Sequence, residues 1–154
     1  MRALALLALL AGCSTITLRA GAVMIGGRPA FQATVEAGMS VGSRRLYEVT
    51  HETGMQADAS GVSTVVALNA DLVTLDEALG PIAKIGARLR GVIEREGMAK
   101  TTSSIGARAT FYPGLLRESK TQSGGFGFEL AGGIGDDEAV IEASLVLTSK
   151  SSMD

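Results

Sequence analysis

Apolar and polar side chains alternate with a period of two along much of the chain. From Phe31 to Val41, every odd position is apolar and every even position is Gln, Thr, Glu, Gly or Ser. Successive side chains of a β-strand point to opposite faces, so this alternation predicts a strand with one apolar and one polar face. The pattern returns at residues 104–112, 125–134 and 139–148, and no charge falls on the apolar face of these four segments.

Three further segments alternate more weakly and are also predicted strands: Ile16–Ile25, Arg45–Thr53 and Val62–Val73. Segments rich in Gly, Pro, Asp and Ser separate the candidates and predict turns, among them Gly26–Pro29 and Gly54–Gly61. Twenty glycines, three prolines and 46% apolar residues favour β structure with tight turns over disorder.

Residues 75–96 fit either a strand or a helix, because their apolar positions can be grouped with either period. Pro81, Gly86 and Gly91 oppose the helix, since a helical Pro costs about 3 kcal/mol and each Gly about 1 kcal/mol. We therefore favour a strand that follows a turn at Pro81. An α+β fold with a helix at about 75–96 is the alternative, and a short helical turn at Asp76–Leu79 suits both interpretations.

With this segment, the chain has eight predicted strands of roughly ten residues. Eight strands can close an antiparallel up-and-down barrel whose interior is filled by side chains, and closure removes exposed strand edges. The alternation does not say which face points inward. In an outer-membrane barrel the apolar face meets lipid, whereas in a soluble lipocalin-like barrel it lines a ligand cavity.

The composition of the polar face favours placing that face inside. It carries six glycines, which weaken a water-exposed strand but suit a crowded lumen: Gly38, Gly86, Gly106, Gly125, Gly127 and Gly133. It also carries acids and bases that can pair in a closed interior, where isolated charges are too costly; a solvated face of mixed charge is the alternative. The candidate lumen network is Glu36, Lys84, Arg88, Arg90, Arg108, Glu129 and Glu142. The candidate lipid-facing or cavity-lining set is Phe31, Val35, Met39, Phe111, Phe126, Phe128, Leu130 and Leu145.

The N-terminal residues have the features of an export signal. Arg2 supplies a positive charge, and the apolar run at residues 3–10 is too short to span a bilayer as a helix. The sequence Leu10-Ala11-Gly12-Cys13 that follows resembles the lipobox of bacterial lipoproteins. The resemblance implies cleavage before Cys13 and acylation of its thiol, and Ser14 suits transport to the outer membrane.

Removing the first 12 of the 154 residues leaves 142, the length of a single domain. We expect residues 1–12 to be the signal peptide and residues 13–154 to form one β-barrel domain. Within that domain, the glycine-proline turn and strand of Gly80–Ala87, together with Ile105–Pro113, are similar to segments of small outer-membrane β-barrel proteins.

These resemblances imply a lipid-anchored, non-enzymatic barrel of the outer membrane, with a role in envelope structure or surface interaction. Its expected partner is membrane lipid, bound through the acylated N-terminus. The alternative is a soluble, lipid-tethered periplasmic barrel whose apolar residues line a ligand cavity.

Other chemistry has little support in the sequence. A single cysteine excludes an internal disulfide, and a net charge of −2 without tryptophan argues against nucleic-acid binding. His51, the one histidine, lacks the spacing of a metal site or a catalytic triad and is expected on a polar face or in a loop. The acidic run Asp136-Asp137-Glu138 is expected to be a solvated turn. We expect no cofactor and no metal.

Overall fold

The computed structural model is a closed barrel of eight antiparallel strands, in which each strand pairs with its neighbours in sequence and the last pairs with the first. The structure describes residues 15–41, 47–76, 80–93, 101–117, 122–135 and 138–151. The strands are β1 (Thr15–Ile25), β2 (Arg28–Val41), β3 (Tyr47–Asp58), β4 (Gly61–Asp76), β5 (Gly80–Ile93), β6 (Thr101–Arg117), β7 (Gln122–Gly135) and β8 (Glu138–Ser151). The predicted eight-stranded up-and-down barrel is confirmed.

The alternative helix at about 75–96 is wrong wherever the structure describes this segment. Residues 83–93 of β5 pair one by one with both β4 and β6, which leaves no room for a helical ladder. The period of two also places Lys84, Arg88 and Arg90 together on the inner face of the barrel. Of the predicted helical turn at 76–79, Asp76 belongs to β4 and the rest lies outside the described residues.

The predicted turn at Gly54–Gly61 is too long. Strand β3 continues through Gly54 to Asp58, and a two-residue turn, Ala59 and Ser60, leads into β4. The Ser60 backbone N–H donates to the Asp58 carboxylate at 2.7 Å, which closes the turn. Gly54 lies inside β3, and a Cβ added to it would collide with the backbone of β2. Glycine is needed here for close packing of the two strands rather than for a turn.

The strand register fixes the geometry of the barrel. Following hydrogen-bond partners once around from Thr15 returns to β1 at Ile25, ten residues along the strand, by way of Gly38, Thr50, Asn69, Arg88, Gly106, Gly133 and Val140. With eight strands, this stagger tilts the strands by about 40° from the barrel axis. Each residue then advances about 2.5 Å along the axis, and each step to the next strand along the hydrogen bonds about 3 Å.

The core of this barrel is polar. Among the side chains that the structure describes, 22 polar or charged residues are buried, against ten apolar ones. The large apolar residues lie instead on the outer face of every strand. This is the reverse of a water-soluble protein, in which buried residues are mostly apolar.

Inner-face glycines let the strands bend tightly around this narrow interior. Gly106 of β6 and Gly133 of β7 are partners in the ladder, and a Cβ on Gly106 would collide with the Gly132 carbonyl oxygen and the Gly133 Cα. The neighbour is backbone, which cannot turn away as a side chain can. Glycine at this position is therefore a requirement of the curvature.

Replacing Gly106 with Ala is expected to destabilise the barrel by about 1–3 kcal/mol, because β6 and β7 must separate to admit the methyl group. Gly132→Ala is the matched control, since Gly132 is exposed and its Cβ would come no closer than 3.8 Å to the Val140 carbonyl oxygen. The measurement is the urea midpoint of unfolding in phospholipid vesicles. Equal midpoints for the two variants would contradict the close approach of β6 to β7.

Candidate functional site: a charged interior and an apolar outer wall

Every strand contributes at least one acidic or basic side chain (Asp, Glu, Lys or Arg) to the interior. Eleven such residues are described, each no more than 4% exposed: Arg19 of β1, Glu36 of β2, Glu48 and Glu52 of β3, Asp71 of β4, Lys84, Arg88 and Arg90 of β5, Arg108 of β6, Glu129 of β7 and Glu142 of β8. Five bases thus face six acids in a space that excludes solvent. Such charges are tolerable only if they are paired, and the contacts show that they are.

Glu36 lies at the centre of this interior network. Arg108 binds its carboxylate with both terminal nitrogens, Nη1 to Oε2 at 2.7 Å and Nη2 to Oε1 at 2.9 Å. Arg19 donates from Nη2 to the same Oε2 at 2.6 Å and to Glu129 Oε2 at 2.7 Å. Arg108 also binds Asp71, with Nε 2.8 Å from Oδ1. Paired, two-point contacts of this kind are the strongest class of hydrogen bond in proteins, and here they join five strands.

A second group extends the network toward the end of the barrel that carries the β1–β2 turn. Arg19 also pairs with Glu52, which accepts from Arg88 at 2.5 and 3.1 Å. Arg88 reaches Glu142 at 3.2 Å, and Arg90 lies 3.3 Å from the other oxygen of that carboxylate. One connected set of ion pairs therefore runs through the centre of the barrel.

A separate ion pair lies in the interior near the end of the barrel at which β1 begins. Lys84 donates to Glu48 at 2.7 Å, and its ammonium lies 5.7 Å from the centre of the Tyr112 ring. This spacing allows a cation–π contact in addition to the ion pair. Hydroxyl groups add hydrogen bonds to carboxylate oxygens that the arginines already bind, with Thr50 donating to Glu36 at 2.8 Å and Thr110 to Glu129 at 2.9 Å.

The structure places all seven residues of the candidate lumen network in this interior and brings six of them into the central set of ion pairs, with Lys84 in the separate pair. The sequence analysis missed four others: Arg19, Glu48, Glu52 and Asp71. They lie on β1, β3 and β4, where the alternation is weaker. For Glu48 and Glu52 the signal was available, since both are opposite in phase to the apolar residues of β3. Arg19 shares its phase with Val23, and Asp71 shares its phase with Val65 and Val73, so on β1 and β4 the signal was partly hidden.

The outer wall is apolar on all eight strands. The eight candidate lipid-facing or cavity-lining residues are all on it, 40–66% exposed. An internal apolar cavity lined by Phe31, Met39, Phe111, Phe126, Phe128 and Leu145 is therefore wrong, because charged side chains fill the space that it would occupy.

The apolar wall has a defined height. On β4 it extends from Val62 to Leu72, which corresponds to about 25 Å along the barrel axis. Charged side chains on the outside, among those described, lie only at the end with the β1–β2 turn: Arg28, Asp58 and Glu138. Arg28 and Glu138 pair there at 2.9 Å, both largely exposed.

Of the remaining candidates, the structure describes His51 and Glu138. His51 is on the outer wall rather than on a polar face or in a loop, so that prediction is wrong; the phase of β3 puts Glu48 and Glu52 inside and His51 outside. No group of three or more His, Cys, Asp and Glu side chains arranged to hold a metal occurs within the described ranges. Cys13, Asp136 and Asp137 lie outside the described residues.

No protein-family model and no curated protein matches the chain. The barrel is similar to the N-terminal β-barrel domain of Pseudomonas aeruginosa OprF, with a TM-score of 0.48 and 12% sequence identity over 89% of this chain and 98% of that one. No helix in the described part of the chain is long and apolar enough to cross a membrane. A likeness at this level says nothing about function, which has to come from the burial pattern and charges of this chain.

Replacing Arg108 with Met is expected to cost about 3–5 kcal/mol of unfolding free energy, because it leaves buried carboxylates without their cation. Arg28→Met removes an arginine–glutamate pair of the same kind at the exposed rim and is expected to cost about 0–1 kcal/mol. Both values come from urea titrations followed by circular dichroism. A cost for Arg108→Met no larger than that for Arg28→Met would show that the interior charges are not held as described.

Proposed function

We propose that this chain is a bacterial lipoprotein whose mature part is a membrane-spanning β-barrel of the outer membrane, with a non-enzymatic role in envelope structure or surface interaction. The observation that carries the proposal is the inverted burial pattern. Ion pairs fill the interior, and 25 large apolar side chains among the described residues are exposed on the outer wall.

An outer wall of this kind is unsuited to water. Soluble monomeric proteins rarely expose a continuous apolar patch larger than a few hundred Å². Here the exposed apolar residues form a continuous belt, since each of the eight strands contributes at least two of them. In hydrocarbon, such a belt can stay exposed without the unfavourable hydration of apolar surface that it would have in water.

The backbone and the height of the belt also suit a bilayer. A closed barrel pairs the backbone groups of every strand with those of its neighbours, as a spanning structure must where no water can bind them. The apolar wall of about 25 Å equals the height of the apolar band on outer-membrane barrels. Strands of 11 to 17 residues exceed the nine to eleven needed to cross.

The proposed lipid anchor is close in sequence to the first strand of the barrel. Thr15, the first residue of β1, is two positions after Cys13 and pairs with Lys150 near the end of β8. Acyl chains on Cys13 would therefore enter the leaflet near the end of the barrel at which β1 begins and β8 ends. In this arrangement the acyl chains assist retention, and the wall supplies most of the membrane contact.

The positions of the described reactive groups support a non-enzymatic role. The acids and bases of the interior are engaged with one another, and His51 is separated from them by the sheet. An eight-stranded barrel filled by side chains also leaves no wide channel. What remains available to other molecules is the outer wall and the two ends.

The first test is to replace Cys13 with Ser and follow the chain through membrane isolation and an alkaline wash. We expect loss of metabolic labelling by a fatty-acid analogue, while the barrel stays in the washed outer-membrane fraction and changes its gel mobility on heating. Release of the variant as a monomer that is stable in buffer without detergent would overturn the membrane-spanning barrel. Labelling that persists in the variant would overturn acylation of Cys13.

A second test uses the depth of the wall. Leu130 on β7 is roughly midway along the axis, whereas Ile93 is the last residue of β5. Leu130→Arg is expected to lower the unfolding free energy in vesicles by about 2–4 kcal/mol, and Ile93→Arg by about 0–1 kcal/mol. If the wall faced water, the two substitutions would have similar, small effects.

A further inference from the structure

The polar side chains of the outer wall lie on one side of the barrel. We take Tyr47 and Ser149 to mark one rim of the wall, and Arg28 and Glu138 the other. Between these rims, the described outer faces of β7, β8, β1 and β2 carry only apolar residues and glycine. The opposite side carries four residues able to form hydrogen bonds, which we call the polar sector: His51, Thr53, Thr64 and Ser103. A wall that contacted only lipid on all sides would not be expected to show this asymmetry.

His51 is the member of the polar sector that hydrocarbon would disfavour most. The ladder places it about 9 Å along the axis from the level of Thr15 and about 16 Å from that of Ile25, far from both rims. Its neighbours in the ladder are Ala37 and Leu68, which offer no side-chain partner. An ionisable residue at this depth marks a contact site by default, because a polar group in lipid needs a partner.

A groove runs from His51 along the wall. It has a volume of about 440 Å³, and its outer lining includes Thr53, Leu68, Leu89, Gly91 and Ser103. Gly91 leaves a depression between the larger residues of β4 and β5. Small residues and hydrogen-bonding side chains are what membrane-embedded protein surfaces use to approach one another.

We propose that this groove is the contact surface of a dimer, in which the His51 imidazoles of two copies of the chain hydrogen-bond to each other in the membrane. The inference rests on the proposed function, since it requires the wall to lie in a bilayer. A neutral imidazole has one N–H donor and one nitrogen acceptor, so it is complementary to itself. Two copies related by a twofold axis bring the same residue together from both sides.

Other occupants fit the groove less well. Acyl chains have no hydrogen-bonding group at this depth, and lipid headgroups lie at the rims, away from His51. Thr53, Thr64 and Ser103 are uncharged, so these residues of the polar sector would not select a charged partner. A second copy supplies a donor and an acceptor to His51 at the required depth without any further component.

The test is cysteine cross-linking of the full chain in native membranes. Thr53→Cys places a thiol beside His51, and Leu130→Cys places one at a similar depth on the opposite wall, four strands away. With a short bifunctional maleimide, we expect covalent dimers from Thr53→Cys at a yield about tenfold higher than from Leu130→Cys. The unsubstituted chain measures any contribution from Cys13.

Substitutions of His51 then separate its role from simple proximity. In the Thr53→Cys chain, His51→Leu is expected to lower the dimer yield about tenfold, while His51→Gln, which keeps a donor and an acceptor, preserves it. Equal yields at positions 53 and 130, no effect of His51→Leu, or adducts only with a different protein would each overturn the dimer. An alkaline wash of the same membranes reports separately whether the barrel is inserted, so failure of the membrane proposal is distinguishable.

Discussion

The ion pairs between strands determine which side of this sheet faces outward. Glu36 pairs with arginines of β1 and β6, and Glu142 pairs with two arginines of β5. Turning the sheet inside out would separate these partners and bury a belt of leucine, isoleucine and phenylalanine in a lumen too narrow for it. With the charges enclosed, the apolar residues have only the exterior left, and we propose that this exterior is in contact with lipid.

Much of the fold was readable from the chain. On β2, β6, β7 and β8 no charge interrupts the apolar face, and the observed strands contain the predicted segments. On β4 it is obscured because Val65, Ala67 and Val73 are apolar on the inner face as well. Gly54 predicted a turn by composition, whereas its role depends on how closely β2 approaches, a distance between strands that no local pattern encodes.

The site was readable only in part. Charges on strongly alternating strands were assigned to the polar face. The oppositely charged partners that allow them to be buried lie on other strands: Arg19 pairs with Glu129, which is 110 residues away in sequence. His51 shows the same limit in reverse. In the sequence, His51 and Thr53 are two outward polar residues between Val49 and Met55 with no evident role, and His51 becomes meaningful once its depth on the wall is known.

The central claim is that the outer wall meets hydrocarbon. It is tested most directly by attaching spin labels at Ile141, Ala143 and Leu145 on the outer face of β8, with Ala59 in the exposed β3–β4 turn as reference, in reconstituted vesicles. The account predicts high accessibility to oxygen and low accessibility to a water-soluble nickel complex at the three wall positions, with the opposite at Ala59. Nickel accessibility at the wall equal to that at Ala59 would contradict it.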